Sequence, residues 1–282
     1  MPEITLAAWL QQATNRLQQA SVEAARHEAQ CLLSWALDKN TAFFHARPEF
    51  LLNATQQQQL AEGLQRRLTG EPLAWILGQW EFWGLPLQVS PATLIPRADT
   101  ECLVELALQV CELPQARVLD LGTGTGAVAL ALKKERPDWQ VDAVDFQPDA
   151  VKLAQANAQR LGLDIRVWQS DWWQQVPAGQ YDLLVSNPPY IHPDDPHLSQ
   201  GDLRYEPTSA LVGGQDGLDA YRALLNPVQQ RLTPGGYLLV EHGYDQAAAV
   251  AALFSRAGLV GIQLQQDLAG QPRVTLGRRP AA

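Results

Sequence analysis

Val118-Leu119-Asp120-Leu121 runs directly into Gly122-Thr123-Gly124-Thr125-Gly126, and a helix-forming stretch opens at Ala127. A short apolar run, three glycines at alternate positions and a helix start together describe a strand–loop–helix unit. Few folds are built from it. The glycines permit positive φ and let backbone approach a ligand closely, while the helix N-terminus beyond them attracts negative charge. The same rhythm recurs along the chain, with apolar runs near 116–121, 141–145, 165–168, 181–186 and 236–241 alternating with helical segments. That alternation predicts a parallel sheet covered by helices, an α/β fold. In the last third, 259–265 and 272–277 follow one another as two strands, which predicts an antiparallel edge pair and brings the count to seven.

Residues 3 to about 70 follow a different period. Leu6, Trp9, Leu10, Ala13 and Leu17 share one helical face; Val22, Ala25, Ala29, Leu32, Leu33 and Ala36 share another, with Ser21 as the N-cap between them. A third helix from about Thr55 carries Leu60, Leu64 and Leu68 and ends at Gly70. From Trp75 to Ser90 the period shortens to about two, which suggests a hairpin bridging two domains. The expected organisation is a helical substrate-recognition domain over 1–72, a β-hairpin linker over 73–92 and an α/β domain over 93–282. At 282 residues and 46% hydrophobic, the chain can fill one large core and a smaller second one.

Composition also excludes classes of function. There is no run of 18 apolar residues, and the opening MPEITLAAWLQQ has neither a basic segment nor an apolar h-region, so a cytoplasmic protein without membrane span is expected. Cys31, Cys102 and Cys111 are odd in number and lack ligand spacing, and are read as buried thiols. The five histidines form no HExxH or paired cluster, so no metal is expected. A net charge of −9 opposes nucleic acid as partner. Residues 1–72 hold six basic and seven acidic side chains, leaving no evident phosphate-binding face.

The chemistry is most visible at Asn187-Pro188-Pro189-Tyr190, directly after the apolar run Tyr181 to Val185. Neither proline has a backbone N–H, so the chain leaves its strand as a stiff bend rich in acceptors. The Asn187 side-chain oxygen and the Pro188 carbonyl can each take one hydrogen from a planar NH2 group. Tyr190 offers a ring to cover one face. Such a corner suits a nitrogen that must attack a carbon lying above its plane.

Asp145 ends the second strand, where its carboxylate can accept both hydroxyls of a ribose. Gly122, Gly124 and Ala127 also satisfy the G-x-G-x-x-A form of a nicotinamide site, so the glycine loop alone leaves a dehydrogenase open. The preceding helical domain and the NPPY string at a later strand end tilt the balance to S-adenosylmethionine. Ligands in an open α/β sheet bind at the carboxyl ends of strands, where the loops after 121, 145 and 186 converge. After the third strand, Ser170-Asp171-Trp172-Trp173 offers Asp171 as an acceptor for an adenine amino group and an aromatic ring to cover the base.

With DLGTGTG, a strand-end Asp145, SDWW and SNPPY in this order, the chain resembles the bacterial peptide chain release factor N5-glutamine methyltransferases over essentially its whole length. Leu94-Ile95-Pro96-Arg97, Asp99-Thr100-Glu101, Tyr205-Glu206-Pro207 and Glu241-His242-Gly243 belong to the same resemblance. It implies a seven-stranded, Rossmann-like methyltransferase fold and methylation of the glutamine amide in the Gly-Gly-Gln tripeptide of class 1 release factors. On that resemblance Gly122 to Gly126, Asp145, Trp172 and Asn187 contact S-adenosylmethionine, and Asn187, Pro188, Pro189 and Tyr190 hold the glutamine. A monomer is expected. A ribosomal-protein glutamine methyltransferase would share every one of these motifs, and an N6-adenine or N4-cytosine DNA methyltransferase needs the same NH2 pocket with a flipped base. The chain also contains Gly213-Gly214-Gln215, read as a turn and not as a target for self-methylation.

Overall fold

The computed structural model describes residues 3–281, so positions 1, 2 and 282 of the expected domain boundaries lie outside the described residues. The chain divides into two units, one ending at Gly78 and the other beginning at Gln79.

The first unit is helical: α1 (Leu6–Gln19), α2 (Ala25–Leu37), α3 (Thr41–Ala46), α4 (Ala54–Leu68) and α5 (Leu73–Leu77). Thr5 caps α1 by accepting from the Ala8 amide, and Asn53 and Gln56 form a reciprocal capping box on α4. The expected apolar faces meet here, with Leu6, Leu17, Leu32, Leu33 and Leu60 almost fully buried. Each such side chain contributes roughly 2 kcal/mol of burial. Gly63 lets α4 settle onto α2, because a Cβ there would stand 3.0 Å from the Trp35 ring and 3.2 Å from Leu32. Gly70 takes φ +98° just past α4, as a glycine ending a helix does.

Two expectations fail in this unit. Ser21 does not cap α2; it lies at φ +60°, its amide bonded back to Gln18, in the turn that ends α1, and Ala24 occupies the N-cap position. Trp75 belongs to α5, so the hairpin is shorter than its sequence period suggests. Helix formers Leu73 to Leu77 are closed by Gly78 at φ +72°, and only beyond it does the chain extend.

In the second unit, β1 (Gln79–Phe82) and β2 (Leu85–Gln88) pair antiparallel around Trp83 and Gly84, both at positive φ as a tight two-residue turn requires. Seven further strands form one sheet: β3 (Arg117–Leu121), β4 (Gln140–Asp145), β5 (Arg166–Gln169), β6 (Tyr181–Ser186), β7 (Leu232–Glu241), β8 (Val260–Gln266) and β9 (Pro272–Arg278). Their order is β5-β4-β3-β6-β7-β9-β8. The first five are parallel, while β9 runs antiparallel between β7 and β8. The last pair is antiparallel as expected, with the later strand on the inside.

Among the described residues seven α-helices accompany the sheet: α6 (Glu101–Val110), α7 (Ala127–Glu135), α8 (Pro148–Leu161), α9 (Thr208–Leu211), α10 (Asp219–Leu225), α11 (Val228–Arg231) and α12 (Ala247–Arg256). Alternation along the strands splits the core into two layers. Val118, Val141, Leu183 and Val185 pack among residues of α6, α7 and α8. Leu119, Leu121, Leu184 and Val240 pack on the other face with Tyr221 and Leu224 of α10 and Val250 and Phe254 of α12. The strand order reverses at β3, which lies between β4 and β6, and the crevice at the carboxyl ends of β3 and β6 is where an open α/β sheet binds ligands. Among the described residues no helix is long and apolar enough to cross a membrane.

Candidate active site

A cavity of about 380 Å³ opens at this crevice, walled by the loops after β3, β4, β5 and β6 together with Thr93, Arg97 and Thr100 from the chain before α6. Gly122, Gly124 and Gly126 take φ +79°, +56° and +85°. At Gly126 a Cβ would also lie 3.1 Å from Leu130 and 3.3 Å from Ala154, so this glycine seats the start of α7 close to α8. The loop is held from below. Thr123 donates its hydroxyl to Asp120 at 2.7 Å, and the Gly122 and Thr123 amides both reach the Val144 carbonyl. Burial pushes the Asp120 carboxyl up to about 7, with the Thr123 hydroxyl opposing the shift.

Asp145 accepts from the Gly124 amide through Oδ2 and from the Gln147 amide through Oδ1, each at 2.9 Å. The Phe146 amide stabilises the same carboxylate, whose remaining acceptor capacity is left for a ligand. Burial raises its pKa and the amide hydrogen bonds oppose that. Phe146 follows with its side chain 59% exposed at the cavity wall.

After β5, Asp171 and Trp172 line the cavity. Trp172 sits at φ +48°, a left-handed conformation costing about 1–2 kcal/mol for such a residue. Ser170 offsets part of that by donating to the Trp172 carbonyl at 2.7 Å while accepting from the Gln175 amide at 3.1 Å. Both tryptophans pack against the core layer beneath α10, but Trp172 alone of the two lines the cavity, and Trp173 donates its indole N–H to the Leu224 carbonyl.

Ser186 ties the end of β6 to the end of β3, donating to the Leu121 carbonyl at 2.6 Å. Asn187 follows and lines the cavity with Pro189. Its Nδ2 donates to Thr100 Oγ1 at 3.0 Å, and its Oδ1 accepts nothing from any described residue. Pro188 is buried and Tyr190 stands outside the cavity wall, its hydroxyl 3.3 Å from Glu241 Oε1 and its carbonyl accepting from Gln246. Burial first, and the Glu241 charge next, raise the Tyr190 phenol pKa.

Gly213-Gly214-Gln215 belongs to a loop packed behind this corner. The Gly213 amide donates to the Ile191 carbonyl, and a Cβ at Gly213 would fall 2.6 Å from the Pro189 carbonyl oxygen. Three side chains that sequence reasoning left unassigned also find places. Glu206 is buried and accepts from the Ile95 amide and from Arg97, which holds the cavity wall between them. His242 is buried with its ring against the Gly243 carbonyl and the Thr275 hydroxyl. Of the cysteines only Cys111 is buried; Cys31 and Cys102 are half-buried, because neither α2 nor α6 turns that face fully inward.

Thr93 and Thr100 were missed. Both are buried on the cavity wall, and Thr93 Oγ1 has no hydrogen-bond partner among the described residues. A lone threonine outside any motif carries no sequence signal, but Thr100 lies next to Glu101 in a string that had already drawn attention.

Known proteins resemble this chain in sequence and in fold. The PrmC N-terminal domain family matches residues 8–78, and the methyltransferase small domain family matches 99–200. The chain is 50% identical to the release factor glutamine methyltransferase of Salmonella typhimurium, covering 96% of this chain and 97% of that one. It is 48% identical to the protein of the same name from Escherichia coli, with the same coverage. In fold it is similar to a T. thermophilus 16S rRNA methyltransferase solved with AdoMet and guanosine (TM-score 0.50, 20% identity, 71% of this chain and 49% of that one).

Proposed function

Because the chain belongs to the release factor glutamine methyltransferases, we propose that it transfers a methyl group from S-adenosylmethionine to the side-chain nitrogen of the glutamine in the Gly-Gly-Gln tripeptide of class 1 release factors, leaving S-adenosylhomocysteine. The observation that carries this reading is Asn187 Oδ1, an unclaimed acceptor on the same cavity that the glycine loop lines.

The residues present fit the cofactor. The cavity is of small-molecule size, the buried Thr93 hydroxyl lacks a partner among the described residues, and Asp145 keeps acceptor capacity beside three glycines at positive φ. Gly122, Thr123, Gly124, Thr125, Gly126, Asp145, Asp171, Trp172 and Asn187 would hold it. When bound it supplies an electrophilic methyl whose leaving group is a neutral thioether.

An amide nitrogen is a weak nucleophile, because its lone pair is delocalised into the carbonyl. Asn187 Oδ1 and the Pro188 carbonyl would accept the two N–H bonds and turn the lone pair out of their plane. As the nitrogen forms its new bond its hydrogens become acidic, so the same acceptors bind the transition state more tightly than the ground state. Pro188 and Pro189 bring no competing N–H to the corner. No general base is required before transfer; the proton leaves afterwards, once the alkylated nitrogen is strongly acidic.

The helical domain over 1–72 would dock the release factor, the 73–92 segment would link, and 93–282 would catalyse, as a cytoplasmic monomer with no metal and no nucleic acid partner. Labelled methyl transfer tests the whole reading. A class 1 release factor should be labelled, while the same factor with its tripeptide glutamine changed to alanine, a ribosomal protein preparation and duplex DNA should not. Equal labelling of the alanine factor would overturn it.

A further inference from the structure

Behind Asn187 lies a polar chain that the reaction as described does not use. Thr100 is 4% exposed and Glu241 2% exposed, the latter at the end of β7. Glu241 Oε1 receives the Tyr190 hydroxyl at 3.3 Å, and Oε2 is a buried oxygen with no hydrogen-bond partner among the described residues. A buried carboxylate oxygen left so is costly and calls for a nearby donor. Among the side chains around it, the Thr100 hydroxyl is the hydrogen-bonding neighbour that most stabilises the Glu241 carboxylate, ahead of Tyr190. On its other side the same hydroxyl accepts from Asn187 Nδ2 at 3.0 Å.

A hydroxyl has one hydrogen. If it goes to the carboxylate, the oxygen can only accept from Asn187, which must then turn its NH2 inward and its oxygen toward the cavity. We propose that Glu241 is a positioning residue that acts through Thr100 to fix which end of the Asn187 amide faces the substrate, and through the Tyr190 hydroxyl to hold the neighbouring ring. This rests on the function proposed above and names what keeps its acceptor corner correct. Were Glu241 protonated, it could donate to Thr100, whose hydrogen would then be free for Asn187 Oδ1. The amide would turn over and set donor against donor at the substrate NH2.

Around Glu241 stand Asp99 and Thr100 before α6, Cys102 on α6, Tyr190 after β6, Tyr221 on α10 and Arg273 on β9. Arg273 in turn pairs with Asp267 at 3.0 Å and Asp99 at 3.3 Å. Burial pushes the Glu241 carboxyl up to about 7, Thr100 and then Arg273 resisting. The ionised, correctly oriented state is therefore present above about pH 7 and is lost as pH falls through that value.

The test uses the full chain with Thr100→Val, Thr100→Ser, Glu241→Gln and the Thr100→Val/Glu241→Gln double variant. Turnover on a release factor should fall roughly 10- to 100-fold in Thr100→Val with the cofactor dissociation constant unchanged, and recover to within a few-fold in Thr100→Ser. Glu241→Gln should lose turnover and also the acid limb of the pH profile, and the double variant should be no worse than the poorer single one. A second readout needs no substrate: the Asn187 side-chain NH2 should be protected from hydrogen exchange in the wild type and lose protection in Thr100→Val. If release factor is not labelled but that protection pattern holds, the substrate assignment fails and the relay stands. Unaltered Asn187 protection in Thr100→Val, multiplicative losses in the double variant, or an unmoved acid limb in Glu241→Gln would each overturn the relay.

Discussion

Single residues here divide the work between holding and reacting. Asn187→Ala removes an acceptor oxygen left open on the cavity, and turnover should drop by roughly 10²-fold or more, a larger loss than any change in cofactor affinity, as for an oxyanion-hole donor. Steady-state kinetics beside calorimetric binding of the cofactor checks this, and near-normal turnover counts against the acceptor mechanism. Asp145→Ala should do the reverse. Its carboxylate sits away from the reacting corner, bonded to Gly124 and Gln147, so calorimetry should show the cofactor dissociation constant rising while saturated turnover changes far less. Both residues were legible in the sequence, because each ends an apolar strand and breaks its pattern with a chemically specific group. Thr100 was not: its role comes from touching Asn187 across a separation of 87 positions, a contact no local pattern encodes.

At the scale of elements, the NPPY corner is stiff because other segments press on it. The loop carrying Gly213 and Gly217 lies against the carbonyls of Pro189 and Tyr190, and Gln246 at the start of α12 bonds both Tyr190 and Gly217. Gly213→Ala would put a methyl 2.6 Å from the Pro189 oxygen, so the bend must shift. Turnover should fall at least ten-fold, and the melting temperature by several degrees, consistent with about 1–3 kcal/mol of overpacking; turnover assays beside thermal melting measure both, and unchanged values for both would show that the loop gives way freely. The turn reading of Gly213-Gly214-Gln215 described its shape but not its closeness to the site. Strands and long helices were readable from their periods of two and 3.6. Short helices such as α3 and α5 were not, since five or six residues complete too few turns to display a periodicity, and the Ser21 cap failed because a plausible capping residue fell inside a turn closed by backbone bonds.

For the whole molecule, two buried carboxyls couple stability to pH. Asp120 and Glu241 both titrate near 7 when folded, well above their ordinary range. Across the interval from about pH 4 to 7 the folded chain holds protons that the unfolded chain has released, so this contribution to stability is full below that interval and declines as pH rises to about 7. Urea unfolding from pH 5 to 8 should show the wild type losing on the order of 1–4 kcal/mol more than Asp120→Asn over that range; parallel curves would refute it. The change from a helical period to a shorter one was legible from Trp75 onward, although the two units divide at Gly78 and not at 72; five strands were legible as apolar runs, and β8 and β9 as two extended stretches in succession. The inner position of β9 was invisible, as sequence order says nothing about which of two consecutive strands inserts. That insertion has a consequence for the order of assembly. The flank of β7 that ends in Glu241 is paired by β9, which lies C-terminal to the other six strands of the sheet among the described residues. The wall behind Tyr190 is therefore finished only when a distant stretch of chain threads itself between β7 and β8.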